Sequence, residues 1–184
     1  MRLVFVRHGQ SVANAEGWLA GALDTPLTEL GRQQAEQARD QLPEGLEVAW
    51  SSDLVRAEET ARLLLNGRMR LSTTSALRER NMGPWASRQR KLLGADDRQR
   101  LLSWEDAPEG AESQAQVARR CLEFLSGLED RDTLVVAHGG VLRVVTGLLD
   151  GLPRERIGER KVRNVEFLVR QTSPARLREL LESL

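Results

Sequence analysis

An α/β fold, built as a three-layer α/β/α sandwich around a mainly parallel central sheet, is predicted by three observations. Five short runs rich in Val, Leu or Phe read as strands, near residues 2–6, 47–51, 69–73, 132–137 and 165–170. Helix-patterned segments fill most of the gaps, and strands alternating with helices imply a parallel sheet covered on both faces. Two of the strands end alike. Leu3-Val4-Phe5-Val6-Arg7-His8-Gly9 and Leu134-Val135-Val136-Ala137-His138-Gly139-Gly140 carry the only two histidines of the chain. A strand, a reactive side chain and then glycine is how such folds present chemistry at the carboxyl ends of parallel strands.

The first strand is followed by a helix that Thr28 can cap, with Leu30, Ala35, Ala38 and Leu42 toward the core and Pro43 as its stop. The second runs into a helix over about 53–65, ended by Asn66-Gly67. After the third strand, residues from about 78 to 109 break the alternation. Arg78, Arg80, Arg88, Arg90, Lys91, Arg98 and Arg100 fall there among breakers at Gly83-Pro84, Gly94 and Pro108. This insertion reads either as a solvated helical excursion or as a basic lid over an anion site, its charge diluted by Asp96, Asp97, Glu105 and Asp106. A helix over about 112–128 follows, with Val117, Cys121, Phe124, Leu125 and Leu128 on its apolar face. Cys121, the only cysteine, reads there as a buried structural thiol. The fourth strand opens at Gly139-Gly140 into a helix carrying Val141, Val144, Val145 and Leu148, on which Arg143 reads as an exposed arginine. After the fifth strand, Ser173-Pro174 supplies a cap and a first-turn proline for a helix to about Leu184.

With 184 residues, 40% of them hydrophobic and 29% charged, the chain suits one globular domain over 1–184. Its 27 basic and 27 acidic residues cancel, so no global field recruits nucleic acid or an anionic membrane. No stretch has the length of a membrane span, and neither a signal peptide, a disulfide framework nor a zinc-binding spacing is recognisable. The expected location is the cytoplasm. Only Lys91 and Lys161 are lysines, so the basic residues are almost all arginine and a lone arginine carries little weight.

The chemistry gathers around the two histidines. A neutral imidazole is a competent nucleophile toward phosphorus, provided that cations neutralise the phosphoryl oxygens and an acid protonates the departing oxygen. Arg7 brings a guanidinium fork matched to a tetrahedral oxyanion, and Gly9 lets the backbone approach closely. Gly139-Gly140 opens a helix whose amides and dipole favour an anion beside His138. In that setting His138, cationic or hydrogen-bonded, would stabilise the phosphoryl oxygens. A phosphate-bearing ligand is the leading expectation.

Five ordered motifs resemble the histidine phosphatase superfamily, the phosphoglycerate-mutase-like proteins, over almost the whole chain. Arg7-His8-Gly9-Gln10-Ser11, with Asn14 beyond, resembles the family's Arg-His-Gly signature. Asp24-Thr25-Pro26-Leu27-Thr28 with Leu30-Gly31 resembles its turn into the first helix. Ser51-Ser52-Asp53-Leu54-Val55-Arg56-Ala57 resembles the segment with its second phosphate arginine. Leu77-Arg78-Glu79 resembles the segment with its acidic residue, and Ala137-His138-Gly139-Gly140-Val141-Leu142-Arg143 its second histidine. The resemblance implies a phosphomonoesterase in which His8 becomes phosphorylated. Arg7, Arg56 and His138 would bind the phosphoryl group with Asn14 and Gly139 assisting. Glu79 would be the general acid and base, and Gly21 would face the substrate. It implies no cofactor and no metal.

Two stretches depart from the family pattern. Asn81-Met82-Gly83-Pro84-Trp85-Ala86-Ser87 keeps Gly83 and Trp85 where relatives continue with a tryptophan-glutamate-glycine run. Pro108-Glu109-Gly110-Ala111-Glu112-Ser113 resembles a family turn with one residue inserted. Both bear on the substrate rather than on the phosphoryl pocket. Trp18, Trp85 and Trp104 fall in loops or the insertion, where they could contact an apolar leaving group. A cofactor-dependent phosphoglycerate mutase is one alternative, although mutases tend to be longer and to carry asparagine where this chain has Gly140. A non-catalytic phospholigand-binding regulatory protein is another. The expected partner is a small phosphorylated metabolite or, alternatively, a phosphoprotein. Oligomeric state is open.

Overall fold

The computed structural model describes residues 1–184. Strand β1 (Arg2–Arg7) holds four fully buried residues in a row, Leu3 to Val6. Both of its faces are covered, as a continuous apolar run requires in a parallel sheet. Leu3 and Phe5 point into one core with Val135 and Ala137, while Val4 and Val6 point into the other with Ala49, Leu134 and Val136. This alternation is the pleat of the strand turned into two layers of packing.

The remaining strands are β2 (Val48–Ser52), β3 (Leu71–Thr74), β4 (Thr133–Ala137) and β5 (Phe167–Gln171). They lie in the order β3-β2-β4-β1-β5. The first four run parallel and β5 returns antiparallel along β1. The expected strands are thus all present, displaced by one or two residues. Helices α2 (Glu29–Gln37) and α3 (Val55–Leu65) cover one face, through Ala38, Ala61, Leu64 and Leu65. Helices α5 (Gln114–Ser126), α6 (Gly139–Leu149) and α8 (Pro174–Glu182) cover the other, with Val117, Leu122, Leu142, Val145 and Leu177 in its core. The three-layer expectation holds. No helix is long and apolar enough to cross a membrane.

Some elements differ from the sequence reading. The helix predicted from Thr28 to Leu42 ends at Gln37, and a 3₁₀ turn over Arg39–Gln41 carries the chain on to Pro43. The short helices α1 (Val12–Glu16) and α7 (Arg154–Ile157) were not anticipated. Within 78–109 only α4 (Ala95–Leu102) is α-helical, and 3₁₀ turns make up much of the rest. Its cations are largely spent within the protein. Arg78 pairs with Asp53 at 2.7 Å, Arg88 with Asp97 at 3.4 Å and Arg100 with Asp106 at 3.0 Å. Of the cations in that segment, only Arg80 and Arg90 line the main cavity.

Candidate active site

Parallel pairing of β1 with β4 places Arg7 directly beside Ala137, so the next residues of the two strands, His8 and His138, are brought together. Their ring centroids lie 5.1 Å apart at an interplanar angle of 61°. The His8 amide donates to the Ala137 carbonyl at 3.0 Å, extending the ladder one residue past the strands. β2 ends at Ser52 and leads into α3, which carries Arg56. β3 ends at Thr74, five residues before Glu79. All four parallel strands therefore deliver a functional candidate at their carboxyl ends, and Arg7, His8, Arg56, Glu79 and Gly139 line one cavity of about 830 Å³.

His8 is 3% exposed. Its Nδ1 lies 2.7 Å from the Gly9 carbonyl oxygen, which can only accept, so Nδ1 carries the proton and Nε2 keeps its lone pair. Burial, reinforced by the guanidiniums of Arg56 and Arg7, holds this imidazole well below its ordinary value. A neutral ring with a free Nε2 is the nucleophilic form. The loop behind it is tightly seated. A Cβ on Gly9 would lie 2.3 Å from the Gly31 carbonyl oxygen, and one on Gly31 would lie 2.1 Å from that of Gln10. The Gly9 amide is itself taken by Thr60 Oγ1 at 3.0 Å.

His138 is completely buried, and neither ring nitrogen has a hydrogen-bond partner. Burial, then Arg56, His8 and Arg7, push its imidazole well below the ordinary value as well. The expectation of a cationic or hydrogen-bonded His138 is therefore corrected for the protein without a bound anion, because a second buried positive charge would face two guanidiniums. Both shifts make stability pH-dependent. Below 6.5, the ordinary imidazole value, the unfolded chain takes up protons at both positions while the folded chain does not. Folding free energy should decline as pH falls from 6.5 toward the lower native values, by up to ~1.4 kcal/mol per pH unit for each histidine. Urea denaturation at successive pH values should show this slope, and His138→Asn should remove about half of it. A slope unchanged by the substitution would refute the assignment.

Arg7, Arg56, Arg80 and Arg143, all buried or half-buried, line the cavity, and two of them, Arg56 and Arg7, act directly on the histidine pair. Arg56 is 2% exposed, and its two Nη atoms donate to the carbonyls of Leu23 at 2.9 Å and Gly21 at 2.7 Å. That bond makes Gly21 a cavity-lining residue whose carbonyl orients Arg56. Arg7 donates through Nη1 to the Val162 carbonyl at 2.6 Å, and its buried Nε is unpartnered. Arg143 also lines the cavity, with a buried and unpartnered Nε. The prediction of an exposed Arg143 is wrong, because seven of the eleven positions of α6 are buried, the rest are half-buried, and the helix offers no solvent face. Arg80 is 4% exposed, donates to the Leu101 carbonyl at 2.9 Å and stacks over Trp85. Burial brings its guanidinium down to about 10. Against all four cations the main opposing influence is one carboxylate, Glu79. Glu166 adds to it at Arg7, Asp24 at Arg56, and Glu112 and Asp106 at Arg80, and Glu79 is the carboxylate common to all four.

Glu79 is held by backbone rather than by its arginine neighbours. Oε2 accepts the Gly140 amide at 3.0 Å and Oε1 the Arg80 amide at 2.9 Å. The Gly140 amide is accordingly engaged, not free for an anion as the sequence suggested. Asn14 closes a capping box with Ser11, and its Oδ1 also accepts from Asn164 at 3.1 Å, which turns its amide group toward the cavity wall. Asn164 was missed. It donates to the His8 carbonyl at 2.8 Å, across 156 positions of sequence. Next to it Val165 takes a left-handed φ of 54°, costly for a β-branched residue, while its amide donates to the Arg7 carbonyl. The polar run Arg160-Lys161-Val162-Arg163-Asn164 ahead of the fifth strand was the available signal. Of the three tryptophans only Trp18 lines the cavity. Cys121 is buried, its thiol pushed up to about 12 by burial, as the structural reading requires. No cluster of three His, Cys, Asp or Glu is placed to hold a metal ion.

The family model for the histidine phosphatase superfamily (branch 1) matches residues 3–180. The chain belongs to the histidine phosphatase superfamily. Among its superfamily relatives is the glucosyl-3-phosphoglycerate phosphatase of Mycolicibacterium vanbaalenii, 37% identical over 170 residues, covering 83% of this chain and 75% of that protein. A 2,3-bisphosphoglycerate-dependent phosphoglycerate mutase of Xanthobacter autotrophicus is 36% identical over 178 residues, covering 87% and 86%. In structure, the superfamily fold matches a mycobacterial glucosyl-3-phosphoglycerate phosphatase complexed with VO3, with a TM-score of 0.81 and 31% identity over 91% of this chain and 90% of that one.

Proposed function

We propose that this protein is a phosphomonoesterase that hydrolyses small phosphorylated metabolites through a phosphohistidine on His8. The observation that carries the reading is the convergence of His8, its Nε2 lone pair free, with Arg7, Arg56 and Glu79 around one cavity, while the buried His138 ring lies 5.1 Å from that of His8. His8 Nε2 attacks phosphorus, and the bond from phosphorus to the ester oxygen breaks. The Glu79 carboxyl gives its proton to that oxygen. A dianion arriving beside a carboxyl favours the protonated, donating form. In the second half the Glu79 carboxylate takes a proton from water, whose oxygen attacks phosphorus. The phosphorus–nitrogen bond breaks, inorganic phosphate leaves and His8 returns to its neutral form. Arg7 and Arg56, with His138 and the Asn14 and Gly139 positions, would hold the phosphoryl oxygens throughout.

The cationic wall formed by Arg80, Arg90 and Arg143 favours a substrate with negative charge beyond the phosphate, such as the carboxylate of a phosphoglycerate derivative. In this reading residues 1–184 act as one unit, with 78–109 as a lid. The single buried cysteine, free of any disulfide, supports a place in the cytoplasm. The mutase relative keeps a second reading alive, isomerisation of phosphoglycerate.

Phosphate release across a panel of phosphomonoesters, assayed in EDTA with 3-phosphoglycerate and its bisphosphate included, tests both. Release undiminished by chelation and strongest on anionic aglycones is expected. Activity lost in EDTA and restored by a divalent ion would contradict the mechanism. Isomerisation without release would establish the mutase.

A further inference from the structure

Resting on the phosphatase reading above, we propose that Asn164 is a positioning residue, fixing which end of the Asn14 amide meets the phosphoryl group.

The two asparagines stand 150 positions apart in sequence and meet beside the nucleophile. Asn164 Nδ2 lies 2.8 Å from the His8 carbonyl oxygen, which can only accept, so that end of the amide is the nitrogen. The same NH2 group faces Asn14 at 3.1 Å, and the atom that receives it is Oδ1. The Ser11 amide, which can only donate, reaches that oxygen too, at 3.3 Å. Backbone groups at both ends thus decide how both side chains are turned. Asn14 Nδ2 has no acceptor in the protein and is the end left for a ligand in the cavity that Asn14 lines. An N–H donor suits a phosphoryl oxygen, whereas the opposite orientation would offer it a lone pair. Asn164 does not bind the anion itself, because both of its N–H groups are spent.

Without Asn164 the Asn14 amide keeps only the long bond from Ser11 and can turn over. The loop that carries Asn164 does not depend on that side chain. On one side of it the Val162 carbonyl accepts from Arg7 Nη1 at 2.6 Å. On the other, the Val165 amide donates to the Arg7 carbonyl at 2.9 Å. The turn between them is closed by Glu166 Oε2, which accepts the Arg163 amide at 2.6 Å. These anchors hold the loop and Arg7 in place when residue 164 is shortened. The change is then felt at Asn14 and at the His8 carbonyl, and removing Asn14 as well tells the two apart.

The test is a double-mutant cycle of wild type, Asn164→Ala, Asn14→Ala and the double variant. Each protein is assayed in EDTA on an alkyl monophosphate and on 4-nitrophenyl phosphate, and its binding of inorganic phosphate is measured by calorimetry. Asn164→Ala should lower kcat/KM about tenfold and raise the Kd for phosphate by a similar factor, the usual scale for one hydrogen bond to a charged group. The loss should be the same on both esters, because Asn14 would meet the phosphoryl oxygens and not the leaving oxygen. In the Asn14→Ala background the second substitution should change kcat/KM and Kd by less than about threefold. A merely structural residue would cost the same in either background, so losses that multiply in the double variant would overturn the proposal. Wild-type phosphate affinity in Asn164→Ala, or a loss confined to the alkyl ester, would do so too. Failure of Asn164→Ala to fold while Asn14→Ala folds would make the residue a strut of its loop and equally overturn it. A wild-type protein that releases no phosphate from either ester would instead refute the phosphatase reading, and phosphate binding by the four proteins would still decide the role of Asn164.

Discussion

Replacing His8 by alanine is expected to lower kcat by on the order of 10⁴-fold or more on every phosphomonoester the protein hydrolyses. The expectation follows from the isolation of this nucleophile. His138 is the only other histidine in the chain, and Cys121 is buried with its thiol pushed up to about 12. No second group in the site can take the phosphoryl group over. The fold should survive, because the His8 ring makes a single hydrogen bond, to its own neighbour Gly9, and the amide bond to Ala137 belongs to the backbone. Steady-state phosphate release, with far-ultraviolet circular dichroism as a control, decides the matter. A folded variant that keeps near wild-type turnover would remove His8 from the mechanism. Trapping of acid-labile phosphate on wild type but not on the variant would establish the covalent step directly.

Changing Glu79 to glutamine should separate substrates by their leaving groups. The amide preserves shape and can still accept the Gly140 amide, but it has no proton to give. For alkyl phosphates kcat/KM should fall by about 10²- to 10⁴-fold, the usual range for a positioned acid, while aryl phosphates lose far less. A plot of log kcat/KM against leaving-group pKa should steepen in the variant. An unchanged slope would mean that another group protonates the leaving oxygen.

How much of this site was legible in the sequence follows from where each residue sits. His8, Arg56, Glu79 and His138 lie at or just beyond the carboxyl ends of apolar runs, and register between neighbouring strands gathers such positions. The three-layer fold was legible for the same reason, since strand and helix periods alternate cleanly outside 78–109. Arg143 was misread because its helix was given a solvent face, although no other charged residue stands between Gly139 and Leu149. The absence of a polar stripe was the signal. Arg80 and Arg90 were diluted by the arginine richness of the whole chain, which makes a buried guanidinium look like its exposed neighbours. For Asn164 and Val165 the polar run ahead of the fifth strand marked a loop but not its partners, because their contacts to His8 and Arg7 depend on how β5 returns along β1. The two arginines that flank Glu79 in sequence do not pair with it in the structure. Arg78 turned to Asp53, and Arg80 to the carbonyls of Leu101 and Glu112.

The placement of β1 has a consequence for biosynthesis. Its partners are β4 and β5, beginning at Thr133 and Phe167, so β1 leaves the ribosome with neither neighbour until more than a hundred further residues have followed. Until then Leu3-Val4-Phe5-Val6 is an unpaired apolar segment, the kind that invites misassociation during slow, long-range pairing. Strands β2 and β3, separated only by α3, can pair early and offer a first platform. The proposed nucleophile is thus seated late, between two strands encoded far downstream. A ribosome-bound chain lacking β5 would carry every side chain proposed for catalysis and still hold His8 on a strand open at one edge.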